Sequence, residues 1–246
     1  MFKKIIPFAA ILFTSSLVTS CVDIDIEGPC RRASGPLETV GLTLPDFDAI
    51  HFQGSGEMFI EYGTTQRVVV TAEENIIENL DFRVENGRLV TDFDGCYRNY
   101  DLTIEVTLAR PMKELKISGS GRAFTRNLPL PVEPRFDVEI SGSGDADLEI
   151  ADAEKVYGQI SGSGAITLIG EADFLETRIS GSGDMKAYDF KAFENKVSIS
   201  GSGKAYIYCN NGPLDVVITG SGEVYYKGTA SSVNTRITGS GRVYAE

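Results

Sequence analysis

The sequence predicts an all-β fold, a single-stranded β-helix (β-solenoid) with about 19–23 residues per coil, and three observations carry that prediction. Gly-Ser-Gly occurs eight times, with its serine at Ser55, Ser120, Ser143, Ser163, Ser182, Ser202, Ser221 and Ser240, and the last seven are spaced 23, 20, 19, 20, 19 and 19 residues apart. Two residues before each of those seven stands an isoleucine: Ile117, Ile140, Ile160, Ile179, Ile199, Ile218 and Ile237. Between triplets, apolar and polar residues alternate with the period of two that belongs to a strand, as in Phe136, Val138 and Ile140 against Asp137 and Glu139. A period near 20 without a long helical pattern marks repeats that bury their apolar faces only by stacking.

The chain opens as an export signal. Lys3 and Lys4 precede a mostly apolar, uncharged run from Ile5 to Val18, shorter than the ~20 residues of a membrane-spanning helix, and Thr19 and Ser20 lead into Cys21. Residues 1–20 are assigned to a lipoprotein signal peptide, because Val18-Thr19-Ser20-Cys21 resembles a bacterial lipobox, in which the cysteine is acylated and becomes the new N-terminus. Several acyl chains, at ~0.8 kcal/mol per buried methylene, anchor a protein far more firmly than one. Ordinary cleavage that leaves a free or disulfide-bonded Cys21 is the alternative. Residues 21–38, with Gly28-Pro29, Arg31-Arg32 and Gly35-Pro36, show no sustained period and read as a lipidated tether before a solenoid domain at 39–246. Cys30 and Cys96 either form a disulfide that staples the tether to the domain or stay, with Cys209, as free thiols.

The first coil starts near Asp46, with Phe52 in the isoleucine slot before Gly54-Ser55-Gly56. The 65 residues from Ser55 to Ser120 hold no triplet and are close to three coils of slightly greater length. Within them Arg67 to Thr71, Phe82 to Glu85 and Arg88 to Asp92 read as strands, Asn86-Gly87 as a hairpin turn, and Glu73 to Leu80 as a helical excursion.

From Ser120 on, parity survives each triplet. Ile140 to Ala146 is an even step, and Ala146, Leu148 and Ile150 continue the apolar side, so the glycines fall inward and the serines outward. Glycine there either bends the chain at a corner or leaves room in a narrow interior. About 20 residues at ~3.3 Å close a circuit of about 65 Å around an interior about 10 Å across. In-register stacking at about 4.8 Å disfavours like charges in one column, and the column after the triplet reads Asp184, Lys204, Glu223, Arg242, alternating in sign. The last triplet is followed by one short strand and no capping helix, so the C-terminal end is expected to leave an edge that pairs with a second copy or a partner.

Composition narrows the function. Against 35 Asp and Glu stand 23 Lys and Arg, a net charge of −12 that argues against nucleic acid as a partner. His51 is the only histidine, so a multi-histidine metal site is excluded and any histidine-based catalytic group would have to include it. Gly-Ser-Gly lacks the third glycine and the following helix of a dinucleotide loop, and the period is wrong for a calcium-binding β-roll. Eight similar serines do not single out a nucleophile. No cofactor and no reaction are expected.

Phe47-Asp48-Ala49-Ile50 before Gly54-Ser55-Gly56, then Val68-Val69-Val70, Asn86-Gly87-Arg88-Leu89 and Leu115-Lys116-Ile117-Ser118-Gly119-Ser120-Gly121, together resemble the "putative auto-transporter adhesin, head GIN domain" family of bacterial envelope proteins. The resemblance runs from about Phe47 to the C-terminus. It implies a β-helical domain on an exported protein, labelled an adhesin, and carries over no catalytic or ligand-binding residue.

The candidate binding face is a surface of repeated side chains. Ser182, Ser202, Ser221 and Ser240 belong to one outward column, Ser118 through Thr238 to another, and Tyr206, Tyr225 and Tyr244 to an aromatic ladder suited to a glycan or a protein. Each has a structural counterpart: serine tolerates the bend, and a ladder can simply cover the end of the solenoid. The chain therefore reads as a non-catalytic lipoprotein of the outer membrane or cell surface, held to the membrane through Cys21. It would bind a glycan or a host or envelope protein, with a homo-oligomer formed through the C-terminal end. The alternatives are a structural or matrix protein without a specific ligand and, more weakly, a carbohydrate-active enzyme using paired carboxylates.

Overall fold

The computed structural model describes residues 30–127 and 129–246; the signal segment, Cys21 and the tether as far as Pro29 lie outside them. The N-terminal part contains β1 (Arg31–Arg32), β2 (Leu37–Leu42), β3 (Ala49–Gly54), β4 (Glu57–Tyr62), β5 (Arg67–Glu73), α1 (Glu74–Ile77), β6 (Arg83–Glu85), β7 (Arg88–Thr91), β8 (Tyr97–Arg98) and β9 (Thr103–Leu108). The body continues with β10 (Met112–Gly119), β11 (Arg122–Thr125), β12 (Val132–Gly142), β13 (Asp145–Glu149), β14 (Ala153–Gly162), β15 (Ala165–Gly181), β16 (Asp184–Gly201), β17 (Lys204–Asn210), β18 (Pro213–Gly220), β19 (Glu223–Thr229), β20 (Ser232–Gly239) and β21 (Arg242–Ala245).

The body is a parallel β-solenoid in the register the repeat predicts. Ile117, Ile140, Ile160, Ile179, Ile199, Ile218 and Ile237 are successive partners in one column. From Ile117 to Ile218 they are 0–2% exposed, and each such burial stabilises by about 1.5–3 kcal/mol relative to an exposed side chain. The serines of the triplets face out.

The two uses of glycine at the corner divide between its two positions. Gly142 has φ +131°, a conformation that side chains rarely adopt, and makes the bend. Gly144 makes room: a Cβ there would stand 2.5 Å from the Gly121 carbonyl oxygen and 2.8 Å from Ile117 Cγ2 of the rung below. The Ser143 N–H then donates to the Gly119 carbonyl at 2.9 Å, and the same bond recurs from Ser163 to Gly142 and from Ser182 to Gly162.

The 65-residue interval is not three coils. Ile117 pairs with Phe52 and Gly119 with Gly54, so the Ser120 corner sits directly on the Ser55 corner. The intervening chain folds to the other side of β3 and β4, where β7 runs parallel to β3 and β9 parallel to β4 as an unmarked turn. Its remaining length forms a cap: β5 is antiparallel to β9, β2 to β5, and β6 to β7. Length arithmetic failed because it assumed steady advance, whereas Asn86-Gly87, with φ of 53° and 75°, reverses the chain. The expected helix is a single four-residue turn, α1.

The stretch read as a tether joins this cap from Cys30 onward, and the boundary set at residue 39 falls inside β2. Cys30 is bonded to Cys96 with their Cα atoms 4.6 Å apart, and Arg31 and Arg32 pair with Tyr97 and Arg98 beside it. At the other end, among the described residues, β20 and β21 are paired on one side only, with β18 and β19. Val233 and Ile237, inward in register, are 39% and 40% exposed there.

Candidate functional site

The strand after each corner presents three outward columns. The triplet serines come first. Two residues on, Glu57, Arg122, Asp145, the uncharged Ala165, Asp184, Lys204, Glu223 and Arg242 are successive partners, with opposite signs wherever two charged residues are neighbours. Ion pairs join Arg122 to Asp145 at 3.5 Å and Lys204 to Glu223 at 3.2 Å. Four residues after the serine comes the aromatic column, so Ser182, Ser202, Ser221 and Ser240 and the three tyrosines share one side of the corner.

The tyrosine ladder is formed. Tyr206 and Tyr225 stack with ring centroids 5.2 Å apart at 12°, and Tyr225 and Tyr244 at 4.9 Å and 16°. The middle ring has a neighbour on both faces, so solvent meets mainly ring edges and hydroxyls. These hydroxyls are tied to the charged column: Tyr225 Oη donates to Glu223 at 3.0 Å, and Arg242 Nη1 donates to Tyr244 Oη at 3.3 Å. The hydrogen bonds from Tyr225 and Lys204 hold the Glu223 carboxyl below its ordinary range, and the same bonds raise Tyr225 and Lys204.

Two further aromatic contacts, one beside this column and one within it, are not predicted from the spacing of the tyrosines. Tyr188 packs edge-on against Tyr206 at 5.4 Å, donates to Glu246 at 2.8 Å and lies under the Lys227 ammonium at 4.1 Å. The ladder slot on its rung belongs to Lys186, the register partner of Tyr206, and Tyr188 follows two residues later, where the register shifts between Ala187 and Lys191, so the four-residue spacing does not point to it. Phe59 and Phe124, stacked at 5.4 Å, occupy the same column near the cap. Their signal was present, since each also stands four residues after a triplet serine.

Before the corner, Ser118, Ser141, Ser161, Ser180, Ser200, Thr219 and Thr238 form the expected hydroxyl column. Part of it lines a shallow groove of about 470 Å3 together with Gln159, Arg178 and Val217. His51 Nε2 lies 2.8 Å from Ser118 Oγ, and the Gln53 amide Nε2 is 3.3 Å from Nδ1. With that amide donating to Nδ1, the proton sits on Nε2 and is given to Ser118, the reverse of what a general base requires. Burial and the Lys116 and Arg88 charges lower the imidazole pKa further. Among the described residues no group of three or more His, Cys, Asp or Glu side chains is arranged to hold a metal. Cys21, the predicted lipidation site, lies outside the described residues.

The fold recurs in crystal structures of proteins from Bacteroides and Parabacteroides. One described as a putative adhesin from Bacteroides fragilis superposes with a TM-score of 0.76 at 19% identity, covering 88% of this chain and 100% of that one. A putative adhesin from Parabacteroides merdae gives 0.65 at 23%, covering 89% and 100%. A putative lipid binding protein from Parabacteroides distasonis gives 0.71 at 26%, covering 88% and 99%. Among curated proteins none matches. A family model matches residues 46–230, and the chain accordingly belongs to the family described as "Putative auto-transporter adhesin, head GIN domain".

Proposed function

We propose that this chain is a lipid-anchored protein of the outer membrane or cell surface, held by an acylated Cys21, whose solenoid serves as a non-catalytic adhesin-type binding module. The observation that supports this most directly is the in-register stacking of the outward columns that follow the corner, from Asp184 and Lys186 through Arg242 and Tyr244. Identical groups recur at the rung spacing of about 4.8 Å, so one face can meet a repeating ligand such as a glycan, or a protein edge, at several equivalent points. Membership of an adhesin family supports the same reading. On the ladder side a ligand would meet Ser202, Ser221, Ser240 and the tyrosine edges and hydroxyls.

The test is a glycan and protein array probed with the full chain in detergent and with the Tyr206/Tyr225/Tyr244 triple serine variant. A specific hit lost in the folded variant supports the ladder face as the site. Unchanged binding removes the ladder from it. A blank array overturns the adhesin reading. The structural alternative has one observation in its favour: the rings pack on each other and their hydroxyls on Glu223 and Arg242, so the ladder can act as reinforcement alone.

Two parts of the proposal have their own tests. Acylation predicts that Cys21→Ser moves the protein from the detergent phase to the aqueous phase; no change in partition overturns it. Pairing of the β20 and β21 edge with a second copy predicts a concentration-dependent mass in light scattering; a monomer at high concentration overturns it.

A further inference from the structure

We propose that the outer corner built by Tyr157, Phe174 and Phe193 is a docking site for a lysine- or arginine-bearing segment of a partner protein. It lies away from the tyrosine ladder and rests on different side chains. The three rings, with Glu154, Lys155, Asp173 and Glu194, line an open groove of about 440 Å3.

The first argument is a surplus of acid: the groove sets the carboxylates of Glu154, Asp173 and Glu194 against the single ammonium of Lys155. Most stacked charges are of opposite sign, with Arg32 on Arg98 and Arg135 on Lys155 as basic exceptions, and where two acids stack in register, at Glu114 and Asp137, each holds an arginine, Arg88 and Arg135 respectively. Glu154 and Asp173 also stand on adjacent rungs, between the paired residues Ala153 and Lys155 on one and Ala172 and Phe174 on the next. Among the described residues neither they nor Glu194 has an opposite charge within 4.0 Å. Like charges opposite one another destabilise a sheet, so a basic partner has a balance to restore here.

The second argument is the exposed aromatic surface. Phe193 is 53% exposed. On the two rungs Asp173-Phe174 lies against Phe193-Glu194, with Phe174 directly paired to Glu194, so rings and carboxylates alternate in both directions. A cation laid on that pattern meets ring faces and carboxylates together. The corner already shows this chemistry: the Arg135 guanidinium sits 4.3 Å from the centroid of Tyr157, whose ring in turn lies 5.8 Å from that of Phe174. The groove is too open to bury most of a small molecule, and it follows the stack over successive rungs, which suits a polypeptide with more than one basic side chain. The net charge of −12 steers such a partner toward the protein.

The experiment titrates the full chain in detergent with a hexa-lysine peptide. Phe193→Ala is expected to weaken binding about fivefold to tenfold, and the pair Glu154→Gln with Asp173→Asn to weaken it more and flatten its salt dependence. The pair Glu38→Gln with Glu78→Gln, which removes the same charge from the cap, is expected to leave it unchanged. Asp173→Lys is expected to abolish binding while raising Tm at low salt, which separates loss of the site from loss of the fold. Equal weakening by both neutralised pairs would mean attraction by overall acidity and would overturn the site. So would an unaffected Phe193→Ala variant or the absence of any titration. Binding of choline but not of the peptide, or of a neutral glycan but not of the peptide, would overturn the basic-partner assignment. The triple tyrosine variant should titrate like the parent chain, so failure of the ladder reading and failure of this one are distinguishable.

Discussion

The first and last described rungs of the solenoid carry the same triplet in different surroundings. At the N-terminal end the Gly54-Ser55-Gly56 corner has no earlier triplet to receive its amide, and the Tyr100 hydroxyl accepts the Ser55 N–H at 3.1 Å instead. Antiparallel strands β2, β5 and β6 close the sheet around it, and Ile50 and Phe52 are fully buried. At the other end Ser240 donates back to Gly220, but among the described residues no rung lies over Gly239. The difference teaches that the triplet alone does not close the stack at its first rung, where a hydroxyl and reversed strands do so. Stopping a parallel stack takes strands of another direction and a residue such as Tyr100 that stands in for the missing rung.

The strongest way to break this comparison is to cut the same cavity at both ends. Ile117→Ala, between two rungs, should cost about 2–5 kcal/mol, while Ile237→Ala, 40% exposed, should cost about 1 kcal/mol or less. Urea unfolding of the two variants measures it, and equal losses would mean that the open rung is covered in solution. Next comes the staple. Cys96→Ser opens a link spanning 66 residues and should lower stability by about 2–4 kcal/mol, reproduced by reductant on the parent chain. An unchanged urea midpoint would show that the antiparallel strands hold the cap unaided.

Charge placement gives a smaller and salt-sensitive difference. Lys204→Glu sets a carboxylate between Asp184 and Glu223, whereas Arg242→Glu sets one beside Glu223 alone. Both should lower Tm at low ionic strength, the first more, and both losses should shrink as salt screens the column. A salt-independent loss would point to packing of the lysine stem on the tyrosines instead.

The body was legible because a rung is a local pattern repeated: the isoleucine slot, the parity across the corner and the charge column each follow from residues within one period. The cap was not, because its pairings join β2 to β5 and β5 to β9, and no short-range signal distinguishes a strand that advances the stack from one that turns back over it. Val68-Val69-Val70, all buried, did carry a hint: three consecutive apolar residues suit a strand covered on both faces better than an alternating rung. The ladder was legible as a spacing, but the orientation of its rings was not. The Tyr157, Phe174 and Phe193 corner escaped because its members come from three rungs and share no register column, Phe174 pairing with Lys155 and Glu194.

The finest probe of the open end is Cys209. It occupies an inward slot on β17, 1% exposed, and its register partner on the next rung is Gly228. Burial in apolar surroundings pushes the thiol up to about 11, so near pH 8 little thiolate forms and alkylation should be slow while the rung is closed. In the pairing of β19 with β21 the register ends at Tyr226 with Ala245, so among the described residues Gly228 is paired only with Cys209, and fraying of these rungs should uncover Cys209 before any buried residue near the cap. The same upward shift fixes a sign: between the ordinary thiol value and about 11 the native state retains a proton that the unfolded chain has lost, so this group lowers stability as pH rises through that window. Alkylation followed by peptide mapping reads Cys209 apart from Cys21. Labelling much faster than global unfolding, and slowed by raising protein concentration, would show an end that opens alone and closes on a second copy. Labelling at the global unfolding rate would mean that the open rung is as firmly held as the capped one.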